Sequence, residues 1–193
     1  MKQITIILAL LLLTAIFAAC TTTTTTKGDN MSDIAVFKTN KGTFEIQLNK
    51  DKAPISVANF EKYVNDGFYK GTVFHRVIKG FMVQGGGFLE NGSQKKTMAP
   101  IPIESSNGLK NNAGTIAMAR TSDPNSATSQ FFINTVNNKF LNYAPGNDGY
   151  AVFGKVISGM DVVKQIESVQ TTTKKRMQDW PVDNIIIEEA YMK

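Results

Sequence analysis

From residue 34 onward the chain alternates apolar and polar positions in short runs, the pattern of half-buried strands. Ile34–Thr39 and Thr43–Leu48 both alternate, the second with Phe44, Ile46 and Leu48 on one face, and Asn40-Lys41-Gly42 lies between them as a turn. This spacing predicts a β-hairpin. Pro54 then opens a stretch in which Val57, Phe60, Tyr63 and Val64 recur at helical spacing, with Gly67 as its stop. Strand character returns over Thr72–Ile78, is interrupted at Gly80 and continues at Phe81-Met82-Val83. Gly85-Gly86-Gly87 reads as the start of a long irregular stretch reaching about Ala113. A segment of that length in a compact domain is functional or well packed.

Thr115–Arg120, Gln130–Asn134 and Tyr150–Val156 are three further short strands, and Asn184–Met192 is a closing β-rich segment. A second helix is expected over Met160–Ser168, where Val162, Val163 and Ile166 share a face. About eight short strands with only two helices predict a mainly β domain over residues 33–193. The expected architecture is a closed antiparallel barrel with helical caps, because closure removes exposed strand edges. No internal repeat or second domain is evident.

The first residues have another character. Lys2 precedes a 16-residue run, Ile4–Ala19, that is apolar but for two threonines, and Cys20 follows where small residues end it. A positive start and a run shorter than the roughly twenty residues of a spanning helix indicate an export signal over residues 1–19. Phe17-Ala18-Ala19-Cys20 resembles the bacterial lipoprotein box, in which the signal is cut before a cysteine that is then acylated; Phe17 stands where Leu is usual. The alternative is an uncleaved anchor with an incidental Cys20. Thr21–Thr26 and Lys27-Gly28-Asp29-Asn30 make residues 20–32 a polar tether. The expected location is extracytoplasmic, on a lipid bilayer through acylated Cys20, with Met31 as a possible start for an unanchored cytoplasmic form.

With 42% hydrophobic and 19% charged residues, the composition is globular rather than disordered. The charge of +5 comes from scattered basic residues, and no nucleic-acid motif is present, so nucleic acid is not an expected partner. One Cys and one His exclude an intramolecular disulfide and a Cys/His zinc cluster, and nothing resembles an EF-hand loop. A Ser–His–Asp triad would have to use His75, which lies mid-strand with no serine elbow. Gly85-Gly86-Gly87-Phe88 lacks the spacing and the Lys-Ser/Thr of a phosphate loop, and reads as a tight backbone passage. Lys174-Lys175-Arg176 reads as a solvated surface loop. What remains unusual is Arg76, Phe81, Met82, Gln84, Gln130 and Phe132 in or beside apolar strands. By pattern alone Arg76 is either a salt-bridged barrel residue or a recognition group at the edge of an apolar pocket.

The stretch Phe74-His75-Arg76-Val77-Ile78-Lys79-Gly80-Phe81-Met82-Val83-Gln84-Gly85-Gly86 closely resembles the signature of the cyclophilin family of peptidyl-prolyl isomerases. The resemblance continues through Gly114–Arg120, Ser129–Asn134 and Val152–Val156, in family order. It implies an eight-stranded closed β-barrel with two capping helices. It also implies Arg76 as the catalytic arginine, with Gln84 positioning the substrate carbonyl. The implied proline pocket is Phe81, Met82, Phe132 and Leu141, with Gln130 beside it and Ala119 and Arg120 lining the groove for residues preceding proline. Phe140 stands where animal members often carry tryptophan, Tyr150 where the rim histidine is usual, and Lys79 where many carry proline; these departures resemble bacterial cyclophilins. His75 falls on a position taken as structural.

The implied partners are proline-containing polypeptides, and the implied state is a monomer. No metal or cofactor is implied, because rotation about the X–Pro bond makes and breaks no covalent bond. The alternative reading is an envelope module or chaperone that holds proline segments without turnover.

Overall fold

The computed structural model describes residues 33–193; the export-like segment, Cys20 and the tether lie outside the described residues. The elements run β1 (Ile34–Thr39), β2 (Gly42–Leu48), α1 (Pro54–Asn65), β3 (Thr72–Ile78), β4 (Met82–Leu89), β5 (Thr115–Met118) and β6 (Phe131–Asn134). They continue with β7 (Val152–Ser158), α2 (Met160–Glu167), β8 (Thr171–Lys174), β9 (Met177–Pro181) and β10 (Ile187–Met192). Eight strands pair antiparallel in the order β10-β1-β2-β7-β5-β6-β4-β3. The two ends of this sheet meet. Val73 bridges Ile186, the Gly71 amide donates to the Ile187 carbonyl at 2.8 Å, and the Phe74 amide donates to the Ile185 carbonyl at 3.0 Å. The mainly β barrel expected from the sequence is therefore the observed fold.

Its interior is aromatic. Phe37 lies with its ring centroid 5.5 Å from each of Phe44, Tyr69 and Phe131, and all four rings are fully buried. Burying each such side chain contributes about 1.5–3 kcal/mol, so these rings dominate the core. The helix α1 inserts Val57, Phe60, Tyr63 and Val64, and α2 inserts Val163 and Ile166, the faces that the helical spacing marked. Ala53 gives α1 no side-chain cap. Glu104, from the long segment after β4, accepts instead from the Ile55 amide at 3.0 Å and the Ser56 amide at 2.7 Å. A carboxylate there satisfies orphan donors and suits the helix dipole, and it ties the long segment down.

One expectation is corrected and another is refined. Gly85-Gly86-Gly87 does not begin the irregular stretch, because β4 runs through all three to Leu89. The glycines are needed inside the strand. A β-carbon on Gly86 would lie 2.8 Å from the Tyr69 ring, and one on Gly87 would lie 2.5 Å from Gln130. Lys174-Lys175-Arg176 lies at the solvated surface as expected, with Lys175 and Arg176 exposed, and the structure adds that it forms the tip of the β8–β9 hairpin, whose buried Trp180 packs near His75. The polar run of threonines in β8 hides this hairpin from a search for apolar alternation.

One close approach fixes how α2 leaves β7. Gly159 has φ +76°, and a β-carbon there would fall on the Thr43 carbonyl oxygen and 2.7 Å from Phe44 Cα. Gly67 has φ +64° with nothing within 4 Å of its own virtual β-carbon. Gly159→Ala is therefore expected to cost about 3 kcal/mol and Gly67→Ala about 1 kcal/mol, measured by urea denaturation. Equal losses would show that backbone conformation alone, not the contact with β2, constrains Gly159.

Candidate active site

Directly opposed residues of an antiparallel pair point to the same side of the sheet. Register therefore links Arg76 to Gln84 (β3–β4), Gln84 to Phe132 (β4–β6), Phe132 to Ala117 (β6–β5) and Ala117 to Val152 (β5–β7). This row crosses the outer wall of the barrel, cationic at one end and apolar at the other. Around it Met82, Ala117, Phe132 and Val152 form a second, small apolar cluster, separate from the interior core. A cleft of about 230 Å³ opens over the row, lined by Arg76, Phe81, Met82, Gln84, Ala119, Arg120, Phe132, Leu141 and Tyr150.

Arg76 reaches this wall because of a bulge. Phe74 opposes Gly85 and Arg76 opposes Gln84, so His75 is an extra residue on β3. If β3 alternated regularly through His75, Arg76 would share the inward face of Phe74; the bulge lets Phe74 and Val77 stay in the core while Arg76 faces out. The Arg76 side chain is 44% exposed, and its Nε lies 3.9 Å from Asp179 Oδ2. That long, half-exposed pair does not neutralise the guanidinium, so the cleft-edge reading of Arg76 stands over the salt-bridged one.

Polar groups behind the wall hold the rim. Asn134 donates to Asn111 Oδ1 at 3.1 Å, and Asn138 donates to Asn134 Oδ1 at 2.7 Å and to the Phe81 carbonyl at 2.9 Å. Asn111 in turn donates to the Leu141 carbonyl at 3.0 Å. These three buried asparagines fasten both Phe81 and Leu141, and they were not anticipated from the sequence. Asn134 lies inside the quoted Ser129–Asn134 motif, which was the available signal. Beside Leu141, Arg120 donates through Nε and Nη2 to the Gly149 carbonyl at 3.1 and 2.9 Å, and its guanidinium carbon sits 4.6 Å from the Tyr150 ring centre.

Of the residues singled out in the sequence, the cleft brings together Arg76, Gln84, Phe81, Met82, Ala119, Arg120, Phe132, Leu141 and Tyr150. Two stand beside it. Gln130 lies over Gly87 and accepts from Gln84 Nε2 at 3.0 Å, so the missing β-carbon makes room for the group that orients Gln84. Phe140 is 67% exposed and braces Phe81, with ring centroids 5.5 Å apart. Cys20 lies outside the described residues.

His75 is not part of the cleft lining. It is buried between Phe88 and Trp180, with ring centroids 4.6 and 6.0 Å away, and its Nδ1 has no hydrogen-bond partner. Burial pushes its pKa down to about 4, and the adjoining Arg76 charge acts the same way against weak polar contacts to Val73 and Gln130.

An antiparallel barrel whose sheet ends meet, bearing a partly apolar cleft with an arginine at its edge, defines a class of groove-bearing β-barrels. Comparison with known proteins narrows it. The family described as cyclophilin type peptidyl-prolyl cis-trans isomerase/CLD matches residues 34–192, and the chain belongs to that family. A peptidyl-prolyl cis-trans isomerase of Acinetobacter baylyi is 57% identical over 156 residues, covering 81% of this chain and 83% of that protein. Peptidyl-prolyl cis-trans isomerase B of Escherichia coli is 51% identical over 160 residues, covering 81% and 98%. A Cryptosporidium parvum cyclophilin, solved in the presence of the dipeptide Ala-Pro, superposes with a TM-score of 0.68 at 30% identity, covering 83% of this chain and 98% of that one.

The His75 environment carries a pH signature. Between about pH 4 and 6.5 the unfolded chain takes up a proton at His75 that the native state refuses, so stability falls as pH drops through this window. The His75 share of the loss is about 3 kcal/mol. Urea denaturation from pH 7 to 4 should show His75→Gln with a correspondingly shallower decline. Parallel curves for the two proteins would assign the acid sensitivity to other groups.

Proposed function

We propose that this peptidyl-prolyl cis–trans isomerase seats the proline ring on Met82, Phe132, Phe81 and Leu141 and uses Arg76 to stabilise the twisted X–Pro bond. The C–N bond resists rotation by roughly 18–20 kcal/mol because resonance gives it double-bond character. At the twisted transition state the nitrogen lone pair localises and becomes a hydrogen-bond acceptor. The Arg76 guanidinium offers fixed, permanently charged donors to that lone pair, and the planar ground state presents no such acceptor. The interaction is therefore differential, which is what makes it catalytic. Gln84, held by Gln130, is placed to steady the substrate carbonyl. The observation that carries this reading is the row Arg76–Gln84–Phe132, which sets a cation beside an apolar floor on a rigid sheet.

One charge-assisted hydrogen bond is worth about 1.5–3 kcal/mol, so Arg76→Ala should lower kcat/KM for an Ala-Pro peptide roughly ten- to a hundredfold while circular dichroism stays native. Retained turnover would move catalysis away from Arg76, and an unfolded variant would make Arg76 structural.

We propose further that the enzyme acts on exported or envelope proteins as they fold, tethered to a membrane. Supporting this are Lys2, the apolar run before Cys20, the Phe17-Ala18-Ala19-Cys20 box and the polar stretch Thr21–Asn30 that separates the box from the barrel. Acylation of Cys20 would give the chain its only required contact with the bilayer, and the barrel would work as a monomer at the end of the tether. In bacterial cells making the full chain, Cys20→Ser should abolish incorporation of labelled fatty acid and shift the protein out of the membrane fraction. Unchanged fractionation without fatty-acid incorporation in the wild type would instead favour an uncleaved anchor.

A further inference from the structure

Beyond Arg76, on the flank away from Phe132, the cleft continues into a second, more open groove of about 370 Å³. Arg76 is the wall common to both. The new floor is apolar, made by Phe88 of β4 and Met177 of β9, and its far wall is the β8–β9 hairpin with Arg176 and Asp179. The groove is thus a continuation of the proline cleft, built by an element that the proline cleft itself does not use.

The hairpin is held in a costly conformation. All three non-glycine residues with positive φ among the described residues lie in it: Lys175 at +48°, Arg176 at +68° and Asp179 at +59°. A two-residue turn with both residues left-handed ordinarily takes Asn-Gly, yet here two long cations occupy it. Such backbone strain gathers where a side chain must be presented in one direction. The Lys175 stem packs over Gly92, whose virtual β-carbon would lie 2.9 Å from Lys175 Cδ, so the tip is pinned to the turn after β4. Lys174 is also occupied, donating to the Glu90 carbonyl at 2.7 Å and lying 5.1 Å from the Trp180 ring centre. Arg176 differs: none of the ion pairs among the described residues includes it.

The side chains around the groove carry two guanidinium groups, Arg76 and Arg176, against the single carboxylate of Asp179, which faces Arg76. His75, buried and uncharged at neutral pH, adds nothing to this sum. A charge surplus above an apolar floor suits an acidic side chain with methylenes to bury, glutamate better than aspartate. A polypeptide held by its proline leaves the cleft in two directions. One passes over Ala119 beyond β5; the other passes over β3 and this hairpin, since β3 lies at the far side of β4 from β5 and β6. At about 3.3 Å per extended residue, the hairpin groove is reached within roughly three residues of the proline.

We propose that the β8–β9 hairpin forms a second substrate subsite, in which Arg176 pairs with an acidic side chain on the flank of the polypeptide that leaves the proline cleft over β3. This rests on the reading of the Arg76 cleft as the proline site. The test uses the full chain in detergent and matched Ala-Pro peptides carrying Glu or Gln at the second or third residue before the proline, or at one of the first three residues after it, with exchange measured by NMR. The expected result is a kcat/KM about two- to fivefold higher for Glu than for Gln, on one side of the proline only and shrinking as salt is raised. In Arg176→Gln the Glu/Gln ratio should fall to about one, and in Arg176→Glu it should invert. A wild-type ratio near one, or a ratio that survives Arg176→Gln, overturns the subsite. Failure of the wild type to accelerate even the Gln peptides overturns the proline-site reading beneath it.

Discussion

The site depends on one constraint, the register of β3, β4, β6 and β5. A slip of one residue in any of these pairings would turn Arg76, Gln84 or Phe132 into the barrel interior and bring a core residue to the surface. The interior prevents that slip. Phe74, Val83, Phe131 and Ile116 occupy the inward positions of the four strands, and the packing of Phe131 against Phe37, Tyr69 and Phe74 leaves no alternative seat for them. The aromatic core thus fixes the outer wall, although none of its rings touches the cleft.

Two irregularities adapt this regular frame to chemistry. The bulge at His75 keeps Arg76 facing outward and places an imidazole against Phe88 and Trp180, where burial keeps it neutral. The glycines of β4 let Tyr69, Phe131 and Gln130 approach the strand more closely than any side chain would allow. Gln130 then reaches Gln84. Cleft geometry therefore comes from departures from ideal pairing, and these departures are held by core contacts on one side and by the β8–β9 hairpin on the other.

Most of this was readable in the sequence because the strands alternate and the helix faces are clean. Phe44, Ile46 and Leu48 are buried together, and the α1 face is the one its spacing marked. The misread parts share a physical cause: their signals are non-local. Gly85-Gly86-Gly87 has turn composition, and only the crowding by Tyr69, Phe131 and Gln130 explains why a strand needs it. The β8–β9 hairpin shows no apolar alternation: β8 is threonines and a lysine, and of the apolar residues of β9 the bulky Trp180 owes its burial to the distant outer face of β3. Arg76 was ambiguous by pattern, since a bulge exists only once two strands are paired. The cleft residues were readable through the ordered motifs rather than through periodicity, and the asparagines behind them serve carbonyls that no pattern of side chains announces.

In the mechanism proposed above, catalysis could not come from Arg76 alone. A 10⁵-fold acceleration requires about 7 kcal/mol, and a charge-assisted hydrogen bond supplies about 1.5–3. The remainder must come from groups that are already in place before the bond twists, because any reorganisation during rotation would add to the barrier. The structure meets that requirement in a specific way. Phe81 and Leu141 are fastened through their carbonyls by buried asparagines, Gln84 through its amide by Gln130, and Tyr150 beneath Arg120. The asparagine and Gln130 contacts lie behind or beside the cleft, and the Arg120–Tyr150 stack is part of its lining. Among the described residues Arg76 is held only by a long pair with Asp179, so in the proposed mechanism its charge would remain available to the nitrogen lone pair when that lone pair forms. The tight supports around the apolar floor and the loose support of the cation are complementary under the proposed mechanism: the floor would fix the ring, and the donor would adjust to the one atom whose hydrogen-bonding capacity changes during the reaction.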